Sequence, residues 1–318
     1  TTPTATNIQA NYNNLVTEQD ASVAQIGNQP HLMNTLAAWQ AESGQDRFSL
    51  DADPQFVNPD GRDFHLRSQT VQGRFDPLLG WVTDTTTSPL IDAGDPASSF
   101  SLESAPNGGR ANIGLFGNTP EASRADFPRV WAGNLRQGGW VRGTSTLHWV
   151  SAGLASNALV RVEVSPDGGE SWTVLNTGIV ATTEQLAWNT TTTGSVPAGL
   201  WRVTAVATPS VNNQTTNFFA IRNQALTYHV NDGSSLNDQF TTGLGSSLNW
   251  VATTNRPLDS VQTVLERYDL EPGDRILVDA GTYAVGGGIN VGLRDAGVAT
   301  NLVTIAGATV CANGVTAS

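Results

Sequence analysis

From Arg129 to Asn223 apolar and polar residues alternate with the two-residue period of a half-buried strand. The strands predicted there are STLHWVSAG, ALVRVEVSPDGGESWTVLNTG, EQLAWNTT, GLWRVTAVATP and TTNFFAIRN, with turns between them at regular intervals. In ALVRVEV the apolar set Leu159, Val160, Val162 and Val164 leaves Arg161 and Glu163 on the opposite face. In GLWRVTAVA, Trp201, Val203, Ala205 and Ala207 share one face, and Leu200, Arg202, Thr204 and Val206 share the other. The pattern predicts an antiparallel sandwich with Trp149, Trp172, Trp188 and Trp201 in its core.

On either side the pattern breaks into short apolar clusters. Near the N-terminus, Leu32, Leu36, Ala37 and Trp39 in PHLMNTLAAWQAESGQD have helical spacing followed by a glycine stop. The runs after it, SLDADPQFVNPDGRDFHLRSQ and SPLIDAGDPASSFSLESAPNGGRANIGLFGNTPEAS, hold brief strands between Asp-Pro, Asp-Gly and Gly-Gly turns. These fit the last coils of a solenoid. Towards the C-terminus, TYHVNDGSS opens with a strand, and RPLDSVQTVLERYDL reads as a helix with Pro257 near its first turn. Leu258, Val261, Val264, Leu265 and Tyr268 form its apolar stripe. Three apolar runs follow the Pro-Gly-Asp turn: RILVDAG, GGINVGL and NLVTIAGA. The first and third lie about one turn of a three-faced β-helix apart, and the helix would cover the open end of such a solenoid.

The string TLAAWQAESGQD, DADPQFVNPDGRDFHL, SPLIDAGDP and NIGLFG resembles the C-terminal end of secreted right-handed parallel β-helix proteins of the pectate-lyase-like type. It departs from that pattern between His65 and Ser88, where the segment is longer than a minimal corner. The C-terminal RYDLEPGDRILVDAGTY resembles the N-terminal entrance of the same class. The middle segment resembles an immunoglobulin-like or fibronectin-like domain. Together these imply an all-β chain: parallel β-helix coils at both ends flanking an immunoglobulin/fibronectin-like β-sandwich, with short capping helices. The implied divisions are residues 1–125, 126–224 and 225–318.

Composition narrows the function. All 16 basic residues are Arg and none is Lys; against 28 acids the net charge is −12, which argues against nucleic acid or an anionic membrane as partner. One cysteine, Cys311, excludes an internal disulfide and is expected to be buried. No apolar run reaches the length of a membrane-spanning helix. The N-terminal TTPTATNIQA lacks the features of a signal peptide, so the chain reads as processed or as part of something longer.

Candidate chemistry is sparse. SPDGGESW resembles the Asp-box of sialidase-type propellers, S-x-D-x-G-x-x-W, and Ser165, Asp167, Gly169 and Trp172 are expected to build a structural hairpin. It occurs once, without the catalytic residues of those enzymes. Two acid groups, Asp51, Asp53, Asp60 and Asp63, then Asp92, Asp95 and Glu103, allow calcium, although their Asp-Pro and Asp-Gly pairs already serve turns. The histidines His31, His65, His148 and His229 have no ligand spacing. No nucleophile triad, phosphate loop or carboxylate pair is evident, so no enzyme and no cofactor other than calcium is indicated.

The leading expectation is a structural segment of a large secreted or cell-surface bacterial protein. Its partners would be adjacent repeats or other copies, stacking head to tail into filaments through an interface of Arg275, Ile276, Val278, Ile289, Val291, Val303 and Ile305 against coils near Thr4 to Val23. Two alternatives stand beside it. One is a carbohydrate-active β-helix whose catalytic coils lie elsewhere, and the other an extracellular glycan-binding module using Trp131 and Trp140.

Overall fold

The computed structural model describes residues 8–17, 21–25, 32–268, 270–284, 288–292, 295 and 297–309. His31 and Cys311 lie outside these residues, as does part of the expected coil near Thr4 to Val23.

The segment up to Asp126 is built from tight turns and two-stranded antiparallel ladders. Strand β1 (Ala24–Gln25) pairs with β2 (Leu32–Met33), β3 (Phe56–Asn58) with β4 (Asp63–Leu66), and β5 (Arg74–Asp76) with β6 (Gly80–Val82). The helix α1 spans only Leu36–Ser43. Thr35 caps it through Ala38 N–H, and Gly44 ends it at φ 69, which is the predicted glycine stop; Leu32 belongs to β2 instead. The expected stack of parallel coils is not what these residues show. Among its described residues one parallel contact is present, between Asn14 and Leu50, where Leu15 N–H donates to Leu50 O and Leu50 N–H to Asn13 O. The reason is local: side chains such as Asp76, which accepts Leu78 and Leu79 N–H, close the chain into hairpins.

The alternating segment forms two sheets. They are made from β7 (Arg129–Ala132), β8 (Trp140–Val141), β9 (Thr144–Ala152), β10 (Leu159–Ser165), β11 (Thr173–Val180), β12 (Gln185–Asn189), β13 (Val196–Ala205), β14 (Asn212–Gln214) and β15 (Phe219–Ile221). One sheet runs β11-β10-β13-β15-β8 with β14 also on β13, and the other runs β12-β9-β7. Both contribute to one core of Val162, Trp149, Trp188, Trp201, Val203 and Phe219. Two of the buried indoles are satisfied, Trp149 Nε1–H donating to Ala181 O at 2.8 Å and Trp201 Nε1–H to Asn134 O at 2.9 Å, whereas Trp188 Nε1 has no partner among the described residues. Three placements differ from expectation, the first being Ala207, which lies beyond β13 and is exposed. Leu159 is 40% exposed, at the strand end beyond an irregularity in the β10–β11 register. Trp172 is only half-buried outside that core, because it precedes β11 in a turn.

The last part is a three-stranded parallel sheet of β16 (Thr227–Val230), β17 (Arg275–Val278) and β18 (Thr304–Gly307), with β17 in the centre. Ile276 faces Tyr228 on one side and Ile305 on the other in the ladder. Helix α2 (Val261–Arg267) is capped by Ser260, whose Oγ accepts Thr263 N–H. Leu258 precedes it and bridges Val230, so the helix is shorter than its apolar stripe. Leu258, Val264, Tyr268 and Ile276 still share one core. GGINVGL forms no strand over its described residues, and Ile289 and Val291 are exposed.

Candidate functional site: charged junctions on both sides of the two-sheet unit

Several of the buried charges lie where the chain passes between its parts. On the C-terminal side Arg222 follows β15 and Asp274 precedes β17. Arg222 Nη2 lies 2.6 Å from Asp274 Oδ1, and Asp274 is fully buried. The same carboxylate accepts Leu226 N–H at 2.8 Å and Glu271 N–H at 3.1 Å. Three donors converge on it from β15's exit, the connector and the turn before β17. Nearby, Trp140 Nε1–H of β8 donates to Glu271 Oε1 at 3.1 Å, and burial raises the Glu271 carboxyl.

The Asp-box hairpin joins this junction. Ser165 Oγ accepts Gly169 N–H at 2.7 Å, and Ser165 hydroxyl donates to Asp167 Oδ1 at 2.8 Å. Asp167 also takes Ser171 N–H at 2.9 Å, and Trp172 Nε1–H closes onto Gly169 O at 3.1 Å. Gly168 adopts φ +73, and a Cβ there would meet Phe218 and Val251 at 3.4–3.6 Å. The tip therefore rests on the following unit, where Glu170 pairs with Arg256. A cleft of about 950 Å³ runs beside it, lined in part by Glu170, Ser195, Gln224, His229 and Arg256.

On the N-terminal side Arg110 Nη1 reaches both oxygens of Glu184 at 2.8 Å, and Ser151 N–H donates to Glu184 Oε1 at 2.8 Å. Glu184 follows the 3₁₀ turn Ala181–Thr183 at φ 54, and its own carbonyl lies 2.8 Å from His148 Nδ1. Arg129 of β7 binds Asp92 at 3.1 Å and also donates to Ile91 O. Asp51 Oδ2 accepts Arg136 N–H at 3.0 Å and Gln137 N–H at 3.2 Å.

Burial also displaces Asp51, Asp92 and His148. It pushes the Asp51 carboxyl up to about 6, opposed by the two backbone donors and Arg136. It pushes Asp92 up to about 6 against the pull of Arg129, and it pushes the His148 imidazole down to about 4. The folded protein holds the Asp51 proton to about pH 6, whereas an unfolded aspartate releases it near about pH 3.9. Stability from Asp51 is therefore complete below about pH 4 and is lost as pH rises through about 6; His148 runs the other way, complete above about pH 6.5 and lost as pH falls to about 4. Urea titrations of the protein and of Asp51→Asn should show their stability gap moving about 2–3 kcal/mol in the variant's favour between pH 4 and 7, at about 1.36 kcal/mol per unit. A gap that stays flat would contradict this.

The calcium candidates do not converge. Asp51 serves the junction, Asp53 Oδ1 accepts Gln55 N–H, Asp63 binds His65 Nδ1 at 2.7 Å, and Asp60 sits exposed in a turn. Among the described residues no group of three or more His, Cys, Asp or Glu is placed to hold a metal ion. The expected assembly residues also separate. Ile276 is buried inside the parallel sheet and Arg275 lies in the central strand, whereas Val291 and Ile305 are exposed; Val278 and Val303 are half-buried. Among the described strands β18 lies at one edge of this sheet and β16 at the other.

Arginines cover the tryptophans outside the cores. The guanidinium of Arg136 lies 4.3 Å from the Trp131 ring centre, Arg142 5.3 Å from Trp140, Arg202 4.1 Å from Trp172, Arg124 3.9 Å from Trp81 and Arg267 4.1 Å from Trp250. A planar guanidinium suits such stacking, and Arg202 also forks to the Glu163 carboxylate. The stacking also leaves Trp131 and Trp140 poorly suited as bare sugar platforms.

These features define a mainly β protein with two short helices among the described residues, several small sheets and charged seams between them. Residues 12–94 match the family described as disaggregatase related, roughly a quarter of the chain. That span contains α1, β3 to β6 and both Asp51 and Asp92. No curated protein and no solved structure matches the chain. Among the described residues no helix is long and apolar enough to cross a membrane.

Proposed function

We propose that this chain is a non-enzymatic structural segment of an extracellular or cell-surface protein, acting as a stiff spacer between β-helical parts. The observation that carries this reading is the buried Arg222–Asp274 pair at 2.6 Å, with Arg110–Glu184 as its counterpart on the other side. Flexible linkers are exposed and polar, with few contacts crossing them. Here each crossing is buried, charged and hydrogen-bonded, and the carboxylate meets its guanidinium and backbone donors in one geometry only, which fixes how the parts join.

The finer reading is a β-sandwich of immunoglobulin type between two parallel β-helices, within residues 1–125, 126–224 and 225–318. Support comes from the parallel β16-β17-β18 sheet, the cap formed by α2, and the parallel Asn14–Leu50 contact. Asn14 reinforces that contact by bonding Ala52 N–H at 3.1 Å and Ala52 O at 2.9 Å. The outer edge of β18, with Ile305 and Leu302 exposed, takes a further parallel strand from an adjacent repeat or a second copy.

Sedimentation velocity over a wide concentration range tests the edge. Association that grows with concentration and is lost in Ile305→Arg is expected. A monomer at every concentration would remove the copy-to-copy version, while electron micrographs showing particles of one fixed length would still support the spacer.

A further inference from the structure

The chain contains two Asn-x-Thr triplets, Asn189-Thr190-Thr191 and Asn213-Gln214-Thr215, and the fold treats them in opposite ways. Such a triplet is the acceptor for asparagine-linked glycans when it lies on the surface of an exported protein. We propose that Asn189 is an N-glycan attachment site and that Asn213 is not.

Asn189 ends β12 and caps the 3₁₀ turn Thr190–Thr192. Its side chain is exposed, as is that of Thr191. Asn189 Oδ1 accepts both Thr191 N–H at 3.2 Å and the Thr191 hydroxyl at 2.8 Å. The carbonyl end of the amide is therefore held by the triplet's own third residue, and Nδ2 is left facing solvent without a bonded partner among the described residues. Residue 190, which turns inward and is fully buried, anchors the loop through Gly143 O and Asn223 Oδ1, so the acceptor sits on a fixed base.

Asn213 lies in β14. Its Oδ1 accepts Ala132 N–H at 3.1 Å and Arg136 Nη1–H at 2.9 Å, so its amide is part of the seam with β7. Thr215 is fully buried and exchanges hydrogen bonds with Trp201 backbone. A glycan on Asn213 would separate Arg136 from its partners.

The donor class is an oligosaccharide carried on a lipid pyrophosphate. Asn189 Nδ2 forms a bond to the anomeric carbon of the first sugar. The bond from that carbon to the pyrophosphate oxygen breaks, its electron pair leaves with the lipid pyrophosphate, and one Nδ2 proton passes to a base of the transferase. An amide nitrogen is a weak nucleophile, so activation comes from the transferase and the chain supplies presentation. This inference shares with the spacer reading only the requirement for export. An unmodified chain with stiff junctions would overturn this site alone.

The test is secretion of the full chain from a host that carries such a donor and its transferase, together with a reporter of known occupancy. Glycopeptide mapping after enzymatic release in ¹⁸O-water should mark Asn189 and leave Asn213 unmarked. Asn189→Gln and Thr191→Ala should each lose one glycan per chain, Thr191→Ser should retain it, and Asn213→Gln should not change occupancy. Circular dichroism of each variant reports folding independently. A bare Asn189 beside an occupied reporter overturns the proposal. So does a glycan on Asn189 that survives Thr191→Ala, or equal occupancy of Asn213 in folded protein.

Discussion

Asp274→Ala is expected to lower stability by about 3–5 kcal/mol, the range for removing one member of a buried ion pair. The substitution deletes the partner of Arg222, which remains buried, and also the acceptor for Leu226 and Glu271 N–H. Three donors are orphaned at once, which places the effect above that of an ordinary surface pair. Asp274→Asn keeps an oxygen for the backbone donors and loses the charge, so its cost should be smaller. Local readout matters as much as the total. Amides of β16 and β17 should exchange roughly a hundredfold faster or more in Asp274→Ala, because the pair sits at the start of both strands. Exchange that stays unchanged in these strands would mean the pair does not hold them.

Glu184→Gln is the corresponding experiment on the other side, with an expected loss of about 3 kcal/mol. Glutamine preserves the size of the side chain and can still accept from Ser151 N–H, but Arg110 keeps its buried charge without a counter-ion. Alanine is a poorer probe, because Glu184 sits at φ 54 and any change in left-handed preference would mix with the loss of the pair. A double-mutant cycle with Arg110→Met separates the terms. If the pair acts as a unit, the double variant should recover much of the cost, since an apolar side chain in that site carries no unpaired charge. Additive costs would show that Arg110 and Glu184 act independently.

The two-sheet unit was legible because its strands carry the period of two over several residues, and each buried face gathers Val and Trp. The Asp-box was legible as well, since Ser165, Asp167, Gly169 and Trp172 are spaced by the turn they build. Its contact with the next unit was not, because Glu170 pairs with Arg256, which is remote in sequence. The junction pairs were invisible for the same reason: sequence marks Arg222 and Asp274 as charged but says nothing of their meeting across 52 positions. The N-terminal segment misled for a different reason. Short strands bounded by Asp-Pro and Asp-Gly turns are shared by solenoid corners and by small hairpins, and here hairpins form where Asn58 and Asp76 close the turns. GGINVGL carries too few apolar positions to define a strand against the conformational freedom of its glycines.

Burial of charge between units is the central claim, and a distance distribution measures it directly. Spin labels at Leu159→Cys and Leu302→Cys, both exposed positions on opposite sides of the Arg222–Asp274 junction, in a Cys311→Ser background, report the relative motion of the two parts. The account predicts a single narrow distance that broadens in Asp274→Ala. A broad distribution in the protein with its junction intact, or one that Asp274→Ala leaves unchanged, would contradict it.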